Sequence, residues 1–171
     1  MVIWITGISG AGKTTLGKFF IKKHKNFLYF DGDLFRKIFK NDISYTLKDR
    51  DINAQRLTRL IKYLSFQNLN IVVAANITSS KYRLWCRKNI KNYIEVFIDA
   101  DMSNLINRDY KKLYSKALNK KIKNVVGIDI KFKKPSGSHL YISNNTGKKQ
   151  FLKKIIYIEK YIKNRFKSFK F

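Results

Sequence analysis

Residues 2–14, Val2-Ile3-Trp4-Ile5-Thr6-Gly7-Ile8-Ser9-Gly10-Ala11-Gly12-Lys13-Thr14, decide how the rest of the chain is read. The first five are an apolar run ended by glycine, the pattern of a short strand buried on both faces. From Lys13 onward Leu16, Phe19 and Phe20 recur on one helical face, and Lys22, Lys23, His24 and Lys25 gather where cations suit a helix C-terminus. Between strand and helix lies an intact GxxxxGK(S/T). Glycines let such a loop turn successive backbone N–H groups inward onto phosphate oxygens, and the helix start adds its positive end. A plain flexible turn is the alternative, but motif and strand–helix context occur together here. Gly7, Ile8, Ser9, Gly10, Ala11, Gly12, Lys13, Thr14 and Thr15 are therefore assigned to a nucleoside triphosphate, ATP. Lys13 is expected at the β- and γ-phosphates and the Thr14 hydroxyl on Mg²⁺.

Working outward, apolar runs at 27–30, 71–75, 93–98 and 139–142 alternate with helical patterns. Thr46 followed three residues later by Asp49 is an acidic variant of the capping box, and Leu57, Leu60, Ile61 and Leu64 then keep helical spacing until about Asn68. A helix over 81–91 turns Leu84 and Trp85 inward. A closing helix over about 149–168 carries Leu152, Ile155, Ile156, Ile162 and Phe166 on one stripe. Its lysine face also suits a basic membrane-surface helix, but the apolar stripe is what an α/β domain needs to cover its sheet. Strand–helix alternation predicts a three-layer α/β fold of the P-loop NTPase type, with a mainly parallel five-stranded sheet, helices on both faces and a lid segment at about 108–134. The 171 residues are expected to form a single domain.

Composition narrows the function classes. With 44% apolar and 15% aromatic residues the chain is not intrinsically disordered. Cys86 is the single cysteine, so no internal disulfide or cysteine-based zinc site can form, and a cytoplasmic location is expected. His24 and His139 have no partner at ligand spacing. The formal charge of +26 suits polyanions, yet the excess is lysine scattered along the whole chain, so no obligate nucleic-acid partner is expected. No apolar run has the length of a membrane span and no signal segment opens the chain, so no membrane partner is expected either.

The acceptor of the phosphoryl group must be read elsewhere. Asp31-Gly32-Asp33 follows the second strand, at the carboxyl edge where α/β folds place ligands, with Arg36 one turn further on. Ala74, Ala75 and Asn76 close the third strand, where many P-loop ATPases carry a second metal-orienting carboxylate. That departure disfavours helicases and motor ATPases and leaves Asp33 as the carboxylate near the metal.

The order WITGISGAGKTTL, FDGDLFR, DRDINAQR, EVFIDA, RDYKKLYSKA and GID over residues 1 to about 142 resembles the adenylylsulfate kinase family, which phosphorylates the ribose 3′-hydroxyl of adenosine 5′-phosphosulfate with ATP. The resemblance implies that Asp33 orients or deprotonates the acceptor hydroxyl and helps hold Mg²⁺, beside Lys13. It implies that Arg36, Arg50 and Asn53 bind the phosphosulfate and ribose, which suits the bidentate guanidinium. Tyr45 falls where the family stacks an aromatic on the acceptor's adenine, although a core tyrosine reads equally well. Lys111 matches the lysine of the family's RDPKGLY lid segment, where a plain basic surface loop is the other reading. Tyr110 and Lys112 replace that segment's proline and glycine. Val125, before Gly127-Ile128-Asp129, stands where a phenylalanine commonly stacks. Ile77, Thr78 and Ser79 align with the family's SPYR segment, Thr78 or Ser79 matching a serine recorded there as phosphorylated. The family commonly pairs into homodimers. A P-loop kinase for another hydroxyl, such as a sugar alcohol or a nucleic-acid 5′-hydroxyl, and a non-catalytic basic nucleic-acid or membrane binder are the alternatives.

Overall fold

A computed structural model describes residues 1–109 and 111–171. The chain runs β1 (Val2–Thr6), α1 (Lys13–Lys23), β2 (Phe27–Asp31), α2 (Gly32–Ile38), α3 (Leu47–Phe66), β3 (Asn70–Ala74), α4 (Ser80–Asn89), β4 (Tyr93–Asp99), α5 (Met102–Arg108), α6 (Leu113–Leu118), β5 (Leu140–Ser143), α7 (Lys148–Lys153) and α8 (Ile155–Arg165). The five strands form one sheet in the order β2-β3-β1-β4-β5, every pairing parallel. The parallel three-layer α/β fold expected from the strand–helix alternation is the one observed.

Successive side chains of β1 point to opposite faces, so this strand feeds two cores. Ile3 and Ile5 join Leu16 and Phe20 of α1 with Phe151, Ile155, Ile158 and Ile162 of α7 and α8. Val2 and Trp4 join Phe35 of α2, Leu57 and Ile61 of α3, Cys86 of α4 and Ile90 just after it. Cys86 is buried, and burial pushes its thiol up to about 12. Trp4, wholly buried, gives its indole N–H to the Ala75 carbonyl at 3.0 Å, which satisfies the one polar atom it brings into the core.

Local chemistry sets the helix ends. The Asp49 amide donates to the Thr46 hydroxyl at 3.2 Å, and that hydroxyl donates to the Asp49 carboxylate at 2.7 Å, so Thr46 caps the start of α3 and Asp49 fixes the cap. Helix α2, which no sequence pattern announced, is nucleated by Asp31. Its carboxylate accepts the amides of Asp33 and Leu34. The expected single closing helix is two: the Lys154 amide bonds the Phe151 carbonyl and the Tyr157 amide bonds the Lys154 carbonyl, a tighter i to i+3 turn between α7 and α8. That turn lets Phe151 face the phosphate loop while Ile155, Ile158 and Ile162 face the sheet. No helix of the described residues is long and apolar enough to cross a membrane.

Replacing Thr46 with alanine removes the cap of a 20-residue helix whose first turns carry Arg50 and Asn53. Thermal unfolding should report a loss of about 1 kcal/mol. An unchanged midpoint would show that the cap contributes nothing.

Candidate active site

The C-terminal ends of the strands open into a cleft of about 970 Å³, within the usual range of ligand sites. Its floor is the loop from Gly7 to Gly12. Gly7 has φ +146, and a Cβ there would stand 2.7 Å from the Ile98 carbonyl oxygen. Gly12 has φ +107, with room denied by Asn144 at 2.7 Å and the Phe151 ring at 2.8 Å. Neither position tolerates a side chain, because both combine left-handed backbone with close neighbours. The loop is also held from outside: Asn144 donates to the Ala11 carbonyl at 2.8 Å and the Tyr114 hydroxyl to the Ser9 carbonyl at 2.7 Å.

Lys13 opens α1 and folds its ammonium back onto the Ile8 carbonyl at 2.8 Å. Burial pushes the ammonium down to about 8; Asp33 and Asp31 oppose the shift and Lys111 adds to it. The Thr14 hydroxyl donates to Asp31 at 2.8 Å, leaving its lone pairs free for a cation. Tyr29 also donates to Asp31, at 3.1 Å. Burial raises the Asp31 pKa, but its hydrogen bonds from Thr14, the Asp33 and Leu34 amides and Tyr29 outweigh this and hold it low. Asp31 thus binds to Thr14 and caps the helix that carries Asp33 and Arg36, a role the spacing of the DGD triplet could not distinguish from that of Asp33.

Asp33 lies exposed in the cleft and takes the Lys111 ammonium at 2.5 Å. Burial lowers the Lys111 pKa, yet the hydrogen bond and charge of Asp33 prevail and raise it. Beyond Asp33, Tyr45 is 47% exposed, so it is not a core residue. The guanidinium of Arg36 sits 4.6 Å from its ring centroid and that of Arg50 5.5 Å. Arg36 donates to the Ser44 carbonyl at 3.0 Å. Arg50 donates to the Tyr45 carbonyl at 2.9 Å and across to the Asn124 carbonyl at 2.8 Å. Asn53 lines the same wall, with its Oδ1 buried and unpartnered.

The 111–134 segment covers this cleft through Lys111, Tyr114, Asn124 and Val125. Asp109 organises its first turn by accepting the amides of Leu113, Tyr114 and Ser115, and Asp129 accepts the amides of Asn124 and Val125. Lys112 has φ +49, so it keeps a left-handed backbone where the resemblance has glycine. Tyr110, the other departure in that stretch, lies outside the described residues. At the opposite end of the cleft Arg108 donates to the carbonyls of Asn144 (3.0 Å) and Thr146 (3.3 Å), beside Gly147 and Lys148. Sequence reading missed this end because it joins α5 to the turn after β5, residues distant in the chain.

Four of the acceptor-side candidates stand off the cleft. Ile77 is buried in the core against α2 and α3. Thr78 has a buried hydroxyl without a partner, Ser79 precedes α4 without capping it, and Gly127 (φ +96) abuts Met102. Ala74, Ala75 and Asn76 line the wall in place of 77–79.

Residues 1–143 match the family described as adenylylsulphate kinase. The chain belongs to that family. It is 40% identical over 148 residues to the cytidine diphosphoramidate kinase of Campylobacter jejuni, covering 84% of this chain and 86% of that protein. It is 36% identical to the adenylyl-sulfate kinase of Pseudomonas aeruginosa over 82% of this chain and 75% of that one. The solved APS kinase of Mycobacterium tuberculosis in complex with AMPPNP and APS superposes with a TM-score of 0.81 at 27% identity, over 92% of this chain and 96% of the other. This adenylylsulphate kinase family member is an ATP-dependent kinase.

In the free protein the Lys13 ammonium loses its proton near pH 8, so affinity for ATP should be highest below that value and decline by up to roughly tenfold per pH unit above it. Titration with an ATP analogue from pH 7 to 9.5 checks this. A flat profile contradicts it, and Lys13→Met should remove the break.

Proposed function

We propose that the chain transfers the γ-phosphoryl group of ATP to the ribose 3′-hydroxyl of a nucleotide whose 5′-phosphate carries a second small acidic group. The observation that carries this reading is one continuous cleft in which the phosphate loop lies between Arg108 and Asn144 at one end and Asp33, Arg36, Tyr45 and Arg50 at the other. A triphosphate on the loop directs its γ-phosphate toward Asp33. The arginines there suit the anionic tail of the acceptor, and Asp33 aims or deprotonates the attacking oxygen. The turn after β5 and Arg108 form the wall for the base of ATP.

The donor set fits Mg²⁺. Among the described residues no group of three His, Cys, Asp or Glu could hold a metal by itself, and Mg²⁺ is commonly bound by one or two carboxylates together with substrate phosphates. Thr14, with Asp31 and Asp33 beside it, would hold the ion, which would neutralise charge on the transferring group. Displacement of Lys111 from Asp33 by an incoming acceptor would free a cation for the phosphates.

Two acceptors fit this class. Cytidine diphosphoramidate is favoured by the 40% identity to a kinase of that name, and Val125 adds an aliphatic rather than an aromatic side chain to the cleft that Tyr45 lines. Adenosine 5′-phosphosulfate is the second reading, favoured by the family match and by the solved complex that holds APS. A single domain over 1–171 and a homodimer are part of the proposal.

The deciding experiment incubates the protein and Mg-ATP with each nucleotide and locates the new phosphate by ³¹P NMR. The 3′-phosphorylated cytidine compound is expected in preference to the adenosine one. A preference for adenosine 5′-phosphosulfate overturns the choice of base, and no transfer to either overturns the reading. In a separate measurement with the better acceptor, Asp33→Asn should lower turnover ~100-fold or more while ATP affinity stays within a few-fold. Retained turnover would remove Asp33 from the chemistry.

A further inference from the structure

Glu95, in the middle of β4, is wholly buried (0% exposed), the one carboxylate among the buried residues. Its Oε1 accepts from Arg83 Nε at 3.1 Å and Nη2 at 2.6 Å, from Arg87 Nη2 at 2.9 Å and from the Ser138 hydroxyl at 2.6 Å. Tyr93 reaches Oε2 at 3.4 Å. The Glu95 amide donates to His139 Nδ1 at 3.0 Å, and both arginines continue to the Ser136 carbonyl at 3.2 and 3.3 Å. Burial raises the carboxyl pKa, but these hydrogen bonds and the two guanidinium charges outweigh it and keep the group ionised.

One carboxylate therefore ties β4 both to the preceding helix α4 and to a turn more than 40 residues further along the chain. Arg83 and Arg87 belong to α4, which follows directly on the Ala75 and Asn76 wall of the cleft. Ser136 and Ser138 form the turn in which the cleft-covering segment returns to β5. A second tie of the same kind lies at the end of β4, where Lys134 donates to Asp99 at 2.8 Å. The covering segment is irregular between α6 and β5 apart from one isolated bridge, so its position depends on how its ends are held. A buried ion pair contributes little net stability, because desolvation offsets the attraction and well-packed apolar residues often do as well. What such a pair does supply is a fixed geometry.

We propose that Glu95 is a positioning residue: through Arg83, Arg87 and Ser138 it locks the return end of the 111–134 segment to β4 and α4, and so keeps that segment closed over the nucleotides during transfer. The activity readout rests on the kinase reading above; the structural readout does not. Loss of the clamp lets the segment lift, admitting water to the γ-phosphate and loosening the acceptor held beneath Lys111 and Asn124.

The test uses the full chain with Ser138→Ala, which deletes a single hydroxyl, Ser138→Thr, which restores one, and Glu95→Gln, which keeps the shape and removes the charge. Ser138→Ala and Glu95→Gln should be cut by trypsin at the lysines between 116 and 134 ~10-fold faster than the parent with AMPPNP bound, the size expected for one lost hydrogen bond to a charged group. Acceptor-independent ATP hydrolysis relative to transfer should rise by a similar factor, with KM for the acceptor rising more than kcat falls. Ser138→Thr should behave as the parent. Parent-like cleavage within the segment and parent-like coupling in Ser138→Ala would overturn the proposal, whatever the melting temperature does. If Glu95→Gln does not fold, Ser138→Ala alone decides. A parent protein that phosphorylates neither nucleotide overturns the functional reading, and the trypsin comparison then decides this proposal by itself.

Discussion

A loop that binds a highly charged tail through its own amides has to give up ordinary backbone geometry, and the rest of the fold is arranged to hold it there. Gly7 and Gly12 have positive φ, and a Cβ at either would stand 2.7 Å from a neighbouring atom, so neither accepts a side chain. The carbonyls of Ala11 and Ser9 in the loop are bonded by Asn144 and Tyr114, which come from the turn after β5 and from α6. The central position of β1, between β3 and β4, buries the strand that feeds the loop on both faces. Two cores, one loop and two remote clasps make a rigid cradle.

Charge is distributed to serve that cradle. Several of the chain's carboxylates stand at the carboxyl edge of the sheet, where Asp31 is bonded to Thr14 and Asp33 to Lys111. Others serve away from the cleft: Asp42 pairs with Arg56, and Glu159 with Lys23 and His24. Cations thus remain in large excess, in keeping with a formal charge of +26. Such a field attracts anionic nucleotides at low salt. In the proposed reaction specific recognition would rest instead on Arg36 and Arg50, whose guanidiniums are set by backbone carbonyls and by Tyr45.

Much of this was legible in the sequence where a local rule applied. The strands are short, largely apolar runs, β4 being interrupted by Glu95, the phosphate loop has a fixed spacing, and the Thr46 cap was announced by Asp49 three residues on. Helix α2 was not legible: seven residues are too few for a periodicity, and its start depends on where the Asp31 side chain turns. The break at Lys154 carries neither proline nor glycine. The cleft end built from Arg108, Asn144 and Thr146 depends on β5 lying beside β4, a fact of topology and not of any motif. Ile77 followed the family pattern in sequence, yet its apolar side chain is better satisfied against Phe35 and Leu57 than in a wet cleft. Lys112 shows the converse, a backbone shape kept after the glycine that suits it has been replaced.

The central claim is that two nucleotides meet tail to tail over β1, with the acceptor ribose at Asp33. A crystal structure of the protein with AMPPNP, Mg²⁺ and the better of the two acceptors tests it most directly. The account predicts the ribose 3′-oxygen within about 3 Å of an Asp33 carboxylate oxygen, facing the γ-phosphorus, with Lys111 moved from Asp33 onto phosphate. An acceptor bound outside the cleft, or bound inside it with its 3′-hydroxyl turned away from Asp33, would contradict it.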